Sequence, residues 1–295
     1  MHPLDATTTH LPIHLILLPF LTPEPIHPIP DTTPTRHHTP HNPHLPHPKY
    51  TTDEYKTKKL VLRKIEKGDY WIGEKGTTGN ICSAPNTYHK VNVSKNYYVG
   101  IFKLTQAQWS RLANTTVSSS TLPQHSLSFN TLRGSAGSSA SPTTGIFATM
   151  KSKTGLDFDS PTRSMWEIAA RSGLEGGTKY FWGDSEDAYS DYAWVGNNAN
   201  GTYHAVGTKK PNAIGLYDMT GNAYEWTRDT FNSADLATLQ PNALVATATG
   251  TTNGELVAGS LESLSVYHHP AMRFSWPKSS GDGGQWVGAR IACIP

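Results

Sequence analysis

The chain has 295 residues, a formal net charge of +2 and 16% charged residues. This composition argues against a nucleic-acid binder that relies on a basic surface. No run approaches the roughly 18 consecutive apolar residues that a membrane-spanning helix needs, so we expect no membrane insertion. The two cysteines, Cys82 and Cys293, are too few for a disulfide scaffold or a cysteine-ligated zinc site.

The first 49 residues differ sharply in composition from the rest of the chain. They hold 12 of the 21 prolines and 9 of the 14 histidines but none of the 25 glycines. We therefore predict a disordered His/Pro-rich segment (1–49), a linker (50–59) and one folded domain (60–295). The alternatives for the first segment are metal capture by its histidines and an atypical export signal at Leu11–Leu21. That stretch lacks a preceding Lys or Arg and a small-residue cleavage site. The compartment is therefore left open, with virion or cell-surface association as one alternative.

The first part of the predicted domain mixes short strands with a helix. The β-rich runs are Leu60–Ile65, Asp69–Gly73, Val91–Val93 and Tyr97–Phe102. A first main helix is predicted to begin after Thr105, because Gln108 follows at the spacing of a capping box. Residues 114–144 are rich in Ser, Thr and Gly and are predicted as loop.

A second main helix is predicted over Ser160–Arg171. Pro161 stands at its start and Gly173 just after it, which is the usual asymmetry of helix ends. A shorter helix around Ile146 is expected to end at Gly155. From residue 174 onward we find no helical period, only short strands and long Gly/Asn/Ser loops rich in Trp and Tyr. The sequence therefore predicts an α+β fold in which long loops carry function.

Several motifs resemble one known family. In chain order they are Trp71–Gly73, Tyr97–Trp109, Ser160–Arg171, Phe181–Gly183, Pro211–Trp226 and Gly288–Arg290. Together they resemble the formylglycine-generating enzyme (sulfatase-modifying factor) family from about residue 60 to the end. The most specific part is Asn212–Trp226, with the sequence NAIGLYDMTGNAYEW. The resemblance implies a C-type-lectin-like fold with two main helices, short antiparallel strands and a large looped half.

The family's founding activity oxidises a substrate cysteine to formylglycine with a copper ion held by two cysteine thiolates. That pair precedes the closing Gly-x-Arg, but the matching stretch Ala271–Pro277 contains no cysteine. Cys293 follows Gly288–Arg290, and Cys82 lies far earlier in the chain. Because copper(I) requires soft thiolate ligands, we expect no copper and no oxidase activity.

The resemblance also implies a calcium site at Asp218, Gly221, Ala223 and Glu225. Carboxylate and carbonyl oxygens suit this hard cation, and a bound ion would order a loop with little regular structure. The alternative is that Glu225 only joins the loop to its neighbours by hydrogen bonds.

The closing segment, 259–295, contains two kinds of residue: framework residues, which are expected to maintain the fold, and residues suited to binding a ligand. The framework residues are Gly259, Arg273, Gly288 and Arg290. The candidate ligand-binding residues are Tyr267, His268, His269, Phe274, Ser275, Trp276, Lys278, Ser279, Asp282, Gln285 and Trp286. Aromatic rings give contact area at low entropic cost, and small polar residues give adaptable hydrogen bonds. The alternatives are that Trp276 and Trp286 are core residues and that the adjacent histidines form a weak metal pair.

The position of this segment at the end of a lectin-like domain resembles the variable proteins of diversity-generating retroelements. Those proteins display a diversified face on a constant scaffold. We therefore predict a non-catalytic protein that binds a cell-surface protein or glycan, with retroelement diversification as a hypothesis. The alternatives are a formylglycine-generating-enzyme-like oxidoreductase that works without the cysteine pair, and a degenerate structural paralogue without a specific ligand.

Overall fold

The structure is a computed structural model. It describes the backbone of 15–19 and residues 48–74, 86–116, 118–135, 140–173, 178–239, 242–248, 252–264, 268–278 and 284–294. Its strands are β1 (Leu15–Pro19), β2 (Lys59–Ile65), β3 (Gly68–Ile72), β4 (His89–Val93), β5 (Tyr97–Gly100), β6 (Phe158–Asp159), β7 (Tyr224–Thr230), β8 (Asn253–Val257), β9 (Phe274–Pro277), β10 (Val287–Gly288) and β11 (Ala292–Cys293). Its helices are α1 (Glu54–Thr57), α2 (Gln106–Leu112), α3 (Phe129–Arg133), α4 (Gly145–Thr154), α5 (Arg163–Ala170), α6 (Tyr189–Tyr192) and α7 (Leu236–Leu239), with 3-10 turns at Pro48–Thr51 and Glu186–Ala188.

The strands of the described residues form three sheets. Their orders are β1-β2-β5-β11-β6, β10-β7-β8-β9 and β3-β4. Pairing is antiparallel except between β10 and β7, which run parallel. Short antiparallel strands beside a few helices confirm the α+β prediction.

The helix boundaries follow the capping chemistry of the sequence. Thr105 Oγ1 accepts a hydrogen bond from Gln108 N, and Gln108 Oε1 accepts one from Thr105 N, both at 3.1 Å, so the predicted capping box is complete. Helix α5 begins after Thr162, whose hydroxyl accepts from Met165 N at 3.1 Å. Helix α4 ends at Gly155, whose φ of 76° lies in the left-handed region that favours glycine.

Two predictions of irregular structure are wrong. Helix α3 lies inside the stretch predicted as loop, with Ser128 Oγ accepting from Thr131 N at 3.0 Å. Phe129 and Leu132 are buried on this helix, but five residues are too few to show a helical period. The proposed linker also contributes to the fold, because Tyr55 on α1 is a buried core residue.

The N-terminal segment is not wholly outside the fold. Strand β1 pairs antiparallel with β2, from Leu15 opposite Arg63 to Pro19 opposite Lys59. An unpaired edge strand offers a row of backbone N–H and C=O groups, and β1 satisfies those on the outer side of β2. The prediction that all of 1–49 is separate is therefore wrong for these five residues. Residues 1–14 and 20–47 lie outside the described part of the chain.

The buried apolar residues form two clusters that hold the sheets and helices together. One contains Trp166 of α5 and Tyr97 of β5, and the other contains Trp226 of β7 and Phe129 of α3. Trp226 Nε1 donates to Leu127 O at 2.6 Å, so this large ring is fixed in direction as well as buried. None of the helices described above is both long and apolar enough to cross a membrane.

Candidate ligand-binding face

The closing segment predicted to bind a ligand frames the four-stranded sheet. Strand β9 lies at one edge beside β8, and β10 lies at the other edge beside β7. Val287 of β10 stands opposite Tyr224, and Phe274 of β9 stands opposite Leu256. The surface side chains of β9 and β10 are therefore carried by strands that are paired within a sheet.

Two buried arginines anchor the segment. Arg273 and Arg290 are both fully buried. Arg273 Nη2 lies 3.0 Å from Glu255 Oε2, and Arg290 Nη2 lies 3.0 Å from Glu225 Oε1. Arg290 also donates to Gly100 O at 2.8 Å. Buried charges with several partners of this kind confirm the predicted framework role.

Two framework glycines are required by close contacts. Gly259 has a φ of 66°, and a Cβ there would lie 2.4 Å from His268 Nδ1. At Gly288 a Cβ would lie 2.5 Å from Gln124 O. Real Cβ atoms do not approach other atoms so closely, so both positions exclude larger residues.

Six of the predicted contact residues lie at or near the surface. They are Phe274, Ser275, Trp276, Lys278, Gln285 and Trp286. Trp276 is 37% exposed, which rules out the alternative that it is a core residue. Its ring lies against the backbone of Gly284, where a Cβ would stand 2.8 Å from Trp276 Cζ2. Strand β9 and the residue Gly284, which precedes β10, therefore meet at this ring.

Two rings that the sequence analysis did not identify extend this surface. The His125 and Tyr203 rings stack with centroids 4.5 Å apart and planes 7° apart. The Tyr203 ring lies 6.1 Å from that of Trp286, and its hydroxyl donates to Gln285 O. Burial lowers the pKa of His125, which favours the neutral ring. No periodicity or motif marks these two residues, since they lie in irregular loops far apart in sequence.

Tyr224 joins the same surface from β7. Its ring lies 5.3 Å from that of Phe274, and its hydroxyl is 2.8 Å from Ser263 Oγ. We define the aromatic face as this set of six partly or largely exposed rings: His125, Tyr203, Tyr224, Phe274, Trp276 and Trp286. Its members come from four separate parts of the chain.

Two polar residues of the predicted site are already engaged. Asn253 Nδ2 donates to Ser275 Oγ at 2.8 Å. Lys278 Nζ donates to Thr230 Oγ1 at 2.7 Å and lies 4.7 Å from the centre of the Phe129 ring. The ammonium of Lys278 is thus directed toward the protein, and its expected role as a contact residue is reduced to its aliphatic stem.

The predicted exposure of the two adjacent histidines is wrong. His268 and His269 are 2% and 5% exposed. The His268 ring lies between the carbonyl oxygens of Ala258 and Ser263, each 3.1 Å away, and burial lowers its pKa to about 4. Burial, assisted by the charge of Arg171, lowers the pKa of His269 to about 3. Both rings are therefore neutral interior groups at physiological pH.

The histidines also do not form a metal pair. His269 Nδ1 lies 3.7 Å from Glu74 Oε2, whereas the nitrogens of His268 face backbone carbonyls. Across the described residues, no group of three His, Cys, Asp or Glu side chains is placed to hold a metal ion. The predicted contacts Tyr267, Ser279 and Asp282 lie outside the described residues.

The four positions at which calcium was expected are close together but do not fit the ion. Glu225 is fully buried, and its oxygens accept from Lys103 Nζ and Trp166 Nε1, both at 2.6 Å. Burial alone would raise the pKa of Glu225, but Arg290 and Lys103 hold it below its ordinary value. Calcium needs about six to eight oxygen ligands, and these oxygens already face two cations.

The other two positions add little to such a site. Asp218 Oδ2 accepts from Gly207 N at 2.7 Å, and its Oδ1 has no hydrogen-bond partner among the described residues. The carbonyl of Gly221 accepts from Ala223 N at 2.8 Å. The donor set present is therefore an internal ion-pair cluster and does not form a calcium cage.

Cys293 lies in the interior and does not form part of a metal site. It is 1% exposed on β11, opposite Tyr98 of β5 and Phe158 of β6. Burial raises the pKa of its thiol to about 12, so it carries a proton at physiological pH. Cys82 lies outside the described residues.

Comparison with known proteins gives a family and a fold. Residues 49–293 match the sulfatase-modifying factor enzyme 1-like domain. The inactive C-alpha-formylglycine-generating enzyme 2 of Bos taurus is 34% identical over 104 residues, which is 32% of this chain and 34% of that protein. The formylglycine-generating enzyme of Mycobacterium tuberculosis is 30% identical over 161 residues, or 46% of this chain and 50% of that protein. The matched part thus spans one third to one half of these curated relatives.

A solved structure is similar over more of the chain. Treponema denticola variable protein 1 superposes with a TM-score of 0.65 at 21% identity, covering 80% of this chain and 96% of that one. At this identity the likeness concerns the fold. It agrees with the α+β architecture described above. The chain accordingly belongs to the family of the sulfatase-modifying factor enzyme 1-like domain, which includes formylglycine-generating enzymes, and it has their C-type-lectin-like fold.

Proposed function

We propose that this chain is a non-catalytic binding protein that uses the aromatic face to contact a cell-surface protein or glycan. The observation that carries the proposal is that partly exposed rings from separate parts of the chain form two contacting groups, His125–Tyr203–Trp286 and Tyr224–Phe274, at the strands of the closing segment. Aromatic rings with one exposed side dominate the energetics of many protein contact surfaces. Here they are held by a framework that is itself buried.

The polar groups of the face suit an uncharged or mixed partner. The exposed Gln285 offers an amide group next to Trp286, and the hydroxyl of Ser263 lies against that of Tyr224. The ammonium of Lys278 is turned toward Phe129. A surface of rings and small polar groups recognises shape and hydrogen-bond pattern more than charge. This chemistry is shared by folded protein surfaces and by the faces of sugar rings.

The alternative of a family oxidase has a direct test. Purified protein is incubated with a peptide containing the CxPxR sequence, copper and oxygen, and the peptide is analysed by mass spectrometry. We expect its cysteine to remain unmodified, because the buried Cys293 thiol cannot supply a copper-binding pair. Formation of formylglycine at the rate of an active relative would establish the oxidase and overturn the non-catalytic proposal.

We further propose that the closing segment is diversified among members of the source population. The proposal draws on the resemblance to retroelement variable proteins and on the name of the structural relative, variable protein 1. Sequencing the codons for 255–295 from many members tests it. We expect substitutions to concentrate at 274–276 and 278–286, with Gly259, Arg273, Gly288 and Arg290 unchanged. Uniform slow variation along the segment would refute diversification and leave a binder of fixed specificity.

Binding itself is tested with defined probes. The purified chain is applied to a glycan array and to a display library of extracellular domains. Trp276→Ser and Trp286→Ser, made together, are expected to weaken any signal at least about tenfold. Val245→Ser is the matched control, because Val245 is 58% exposed but lies in a loop bonded to β4 through Ala243 N and Asn92 O. Equal binding by all three proteins would favour the degenerate paralogue.

A further inference from the structure

A buried lysine lies at the centre of the expected calcium site. Lys103 follows β5 and precedes α2, and its side chain is fully buried. Its Nζ donates to Glu225 Oε1 at 2.6 Å and to Ala223 O at 2.9 Å. These oxygens belong to two of the four positions at which the family resemblance implies calcium. The ammonium thus binds acceptors that a metal ion would need.

The remaining groups of this cluster complete its charge balance. Arg290 Nε lies 3.1 Å from both carboxylate oxygens of Glu225, and its Nη2 donates to Asp218 O at 3.3 Å. The carboxylate of Asp218 lies in the field of both Lys103 and Arg290. Lys103 and Arg290 together therefore balance the two acids without a bound metal ion.

An ammonium and a calcium ion cannot share these ligands. Calcium binds oxygen at about 2.3–2.6 Å, and the ammonium occupies hydrogen-bonding positions on the same oxygens at slightly longer distance. Like charges so close in a dry interior repel strongly. Either cation can hold Glu225 and the Ala223 carbonyl in place, but only one can be present.

We propose that the ammonium of Lys103 takes the place of a divalent cation, so that the Asp218–Glu225 loop is ordered by an internal charge. The fold of this chain is then independent of calcium. The framework beneath the aromatic face is likewise independent of it, because Arg290 belongs to the same cluster. On this proposal, a divalent cation could bind between these oxygens if the side chain of Lys103 were absent. This inference does not depend on the ligand of the face.

Thermal unfolding of the full chain tests the proposal. The wild-type midpoint is expected to be the same in millimolar CaCl2 as in EDTA, with MgCl2 as the ionic-strength control. Lys103→Glu exchanges the ammonium for a third carboxylate. This variant is expected to have a lower midpoint than wild type in EDTA. Its midpoint in CaCl2 is expected to be about 5 °C or more above its midpoint in EDTA, because the calcium concentration is well above the dissociation constant. Calorimetric titration should give one calcium ion bound per variant chain.

Lys103→Met is the matched control, because it fills a similar volume with neither a charge nor an oxygen ligand. Its midpoint is expected to fall equally in CaCl2 and EDTA. A wild-type chain that binds calcium, or that melts later in CaCl2 than in EDTA, would overturn the proposal whichever variant folds. A folded Lys103→Glu chain that binds no calcium would also overturn it. If that variant does not fold, Lys103→Ala, which removes the ammonium from Glu225 Oε1 and Ala223 O, is measured in its place.

Discussion

The buried ion-pair clusters and the aromatic face lie close together but differ in burial and in the cost expected for a substitution. In the interior, Glu225, Arg290, Glu255 and Arg273 are fully buried, and each charge has partners at hydrogen-bonding distance. On the face, Trp276 is 37% exposed and its ring lies against the Gly284 backbone. A change in the clusters leaves a charge unpaired, whereas a change on the face removes only contact area. The comparison indicates that side chains of the face can change without a change of fold.

The strongest test of this contrast is Glu225→Gln. The substitution leaves Lys103 and Arg290 without the carboxylate that neutralises them in the interior. We expect a loss of about 3–5 kcal/mol in the free energy of unfolding, measured by urea denaturation. The loss should be the same with calcium and with chelator. Glu262→Gln, at an exposed carboxylate, is the control and should change stability by less than about 0.5 kcal/mol. A mild effect at Glu225 would remove the distinction between cluster and surface.

A second test uses pH and the buried histidines. Their folded pKa values of about 4 for His268 and about 3 for His269 lie below the ordinary value of 6.5. Between these values the unfolded chain binds protons that the folded chain does not. Stability is therefore complete above about pH 6.5 and falls as the pH drops toward 4, by up to about 1.4 kcal/mol per unit for each histidine. His269→Asn is expected to make this decline shallower in denaturation curves at about pH 7.5 and pH 5. An unchanged slope would show that His269 is not a neutral interior group.

A third test concerns the frame at α2. Thr105→Ala removes the hydroxyl that accepts from Gln108 N and that donates to Lys56 O at 2.6 Å. The expected cost is about 1 kcal/mol in the free energy of unfolding. Thr149→Ala, in the middle of α4, serves as the comparison and should be neutral or slightly stabilising because alanine favours helix. Equal effects at the two positions would mean that the cap does not fix the helix start.

The smallest expected effect on stability is on the face. Trp276→Ser removes a partly exposed ring and should lower the free energy of unfolding by less than about 1 kcal/mol. The same substitution is expected to have a large effect on binding to the glycan array or display library. If it destabilised the chain as much as Glu225→Gln does, Trp276 would belong to the framework and the contrast would fail.

The sequence predicted best what depends on local chemistry. The capping box at Thr105 and the left-handed Gly155 both depend on residues within one turn of helix. The family motifs placed Arg273 and Arg290 in the framework.

The sequence could not predict contacts between distant parts of the chain. Lys103 reaches the carbonyl of Ala223 across 120 positions, and no local pattern links the two residues. His268 and His269 were expected at the surface because they lie in the closing segment that was predicted to bind a ligand. Their burial depends on the route that the chain takes toward Arg273. The stacking of His125 on Tyr203 was missed for the same reason.

The position of β11 determines which mutations in the closing segment still allow the chain to fold. This strand follows the aromatic face in the sequence, yet it lies inside the five-stranded sheet between β5 and β6. A frameshift or stop codon anywhere in 274–286 would delete both this inner strand and Arg290. The ribosome would then release a chain with an open sheet and a Glu225 that lacks the Arg290 ion pair, and we expect cellular proteases to degrade such a chain readily. Folding would thus select among variants of the closing segment. Chains with a substitution on the face would fold and persist, whereas truncated chains would not.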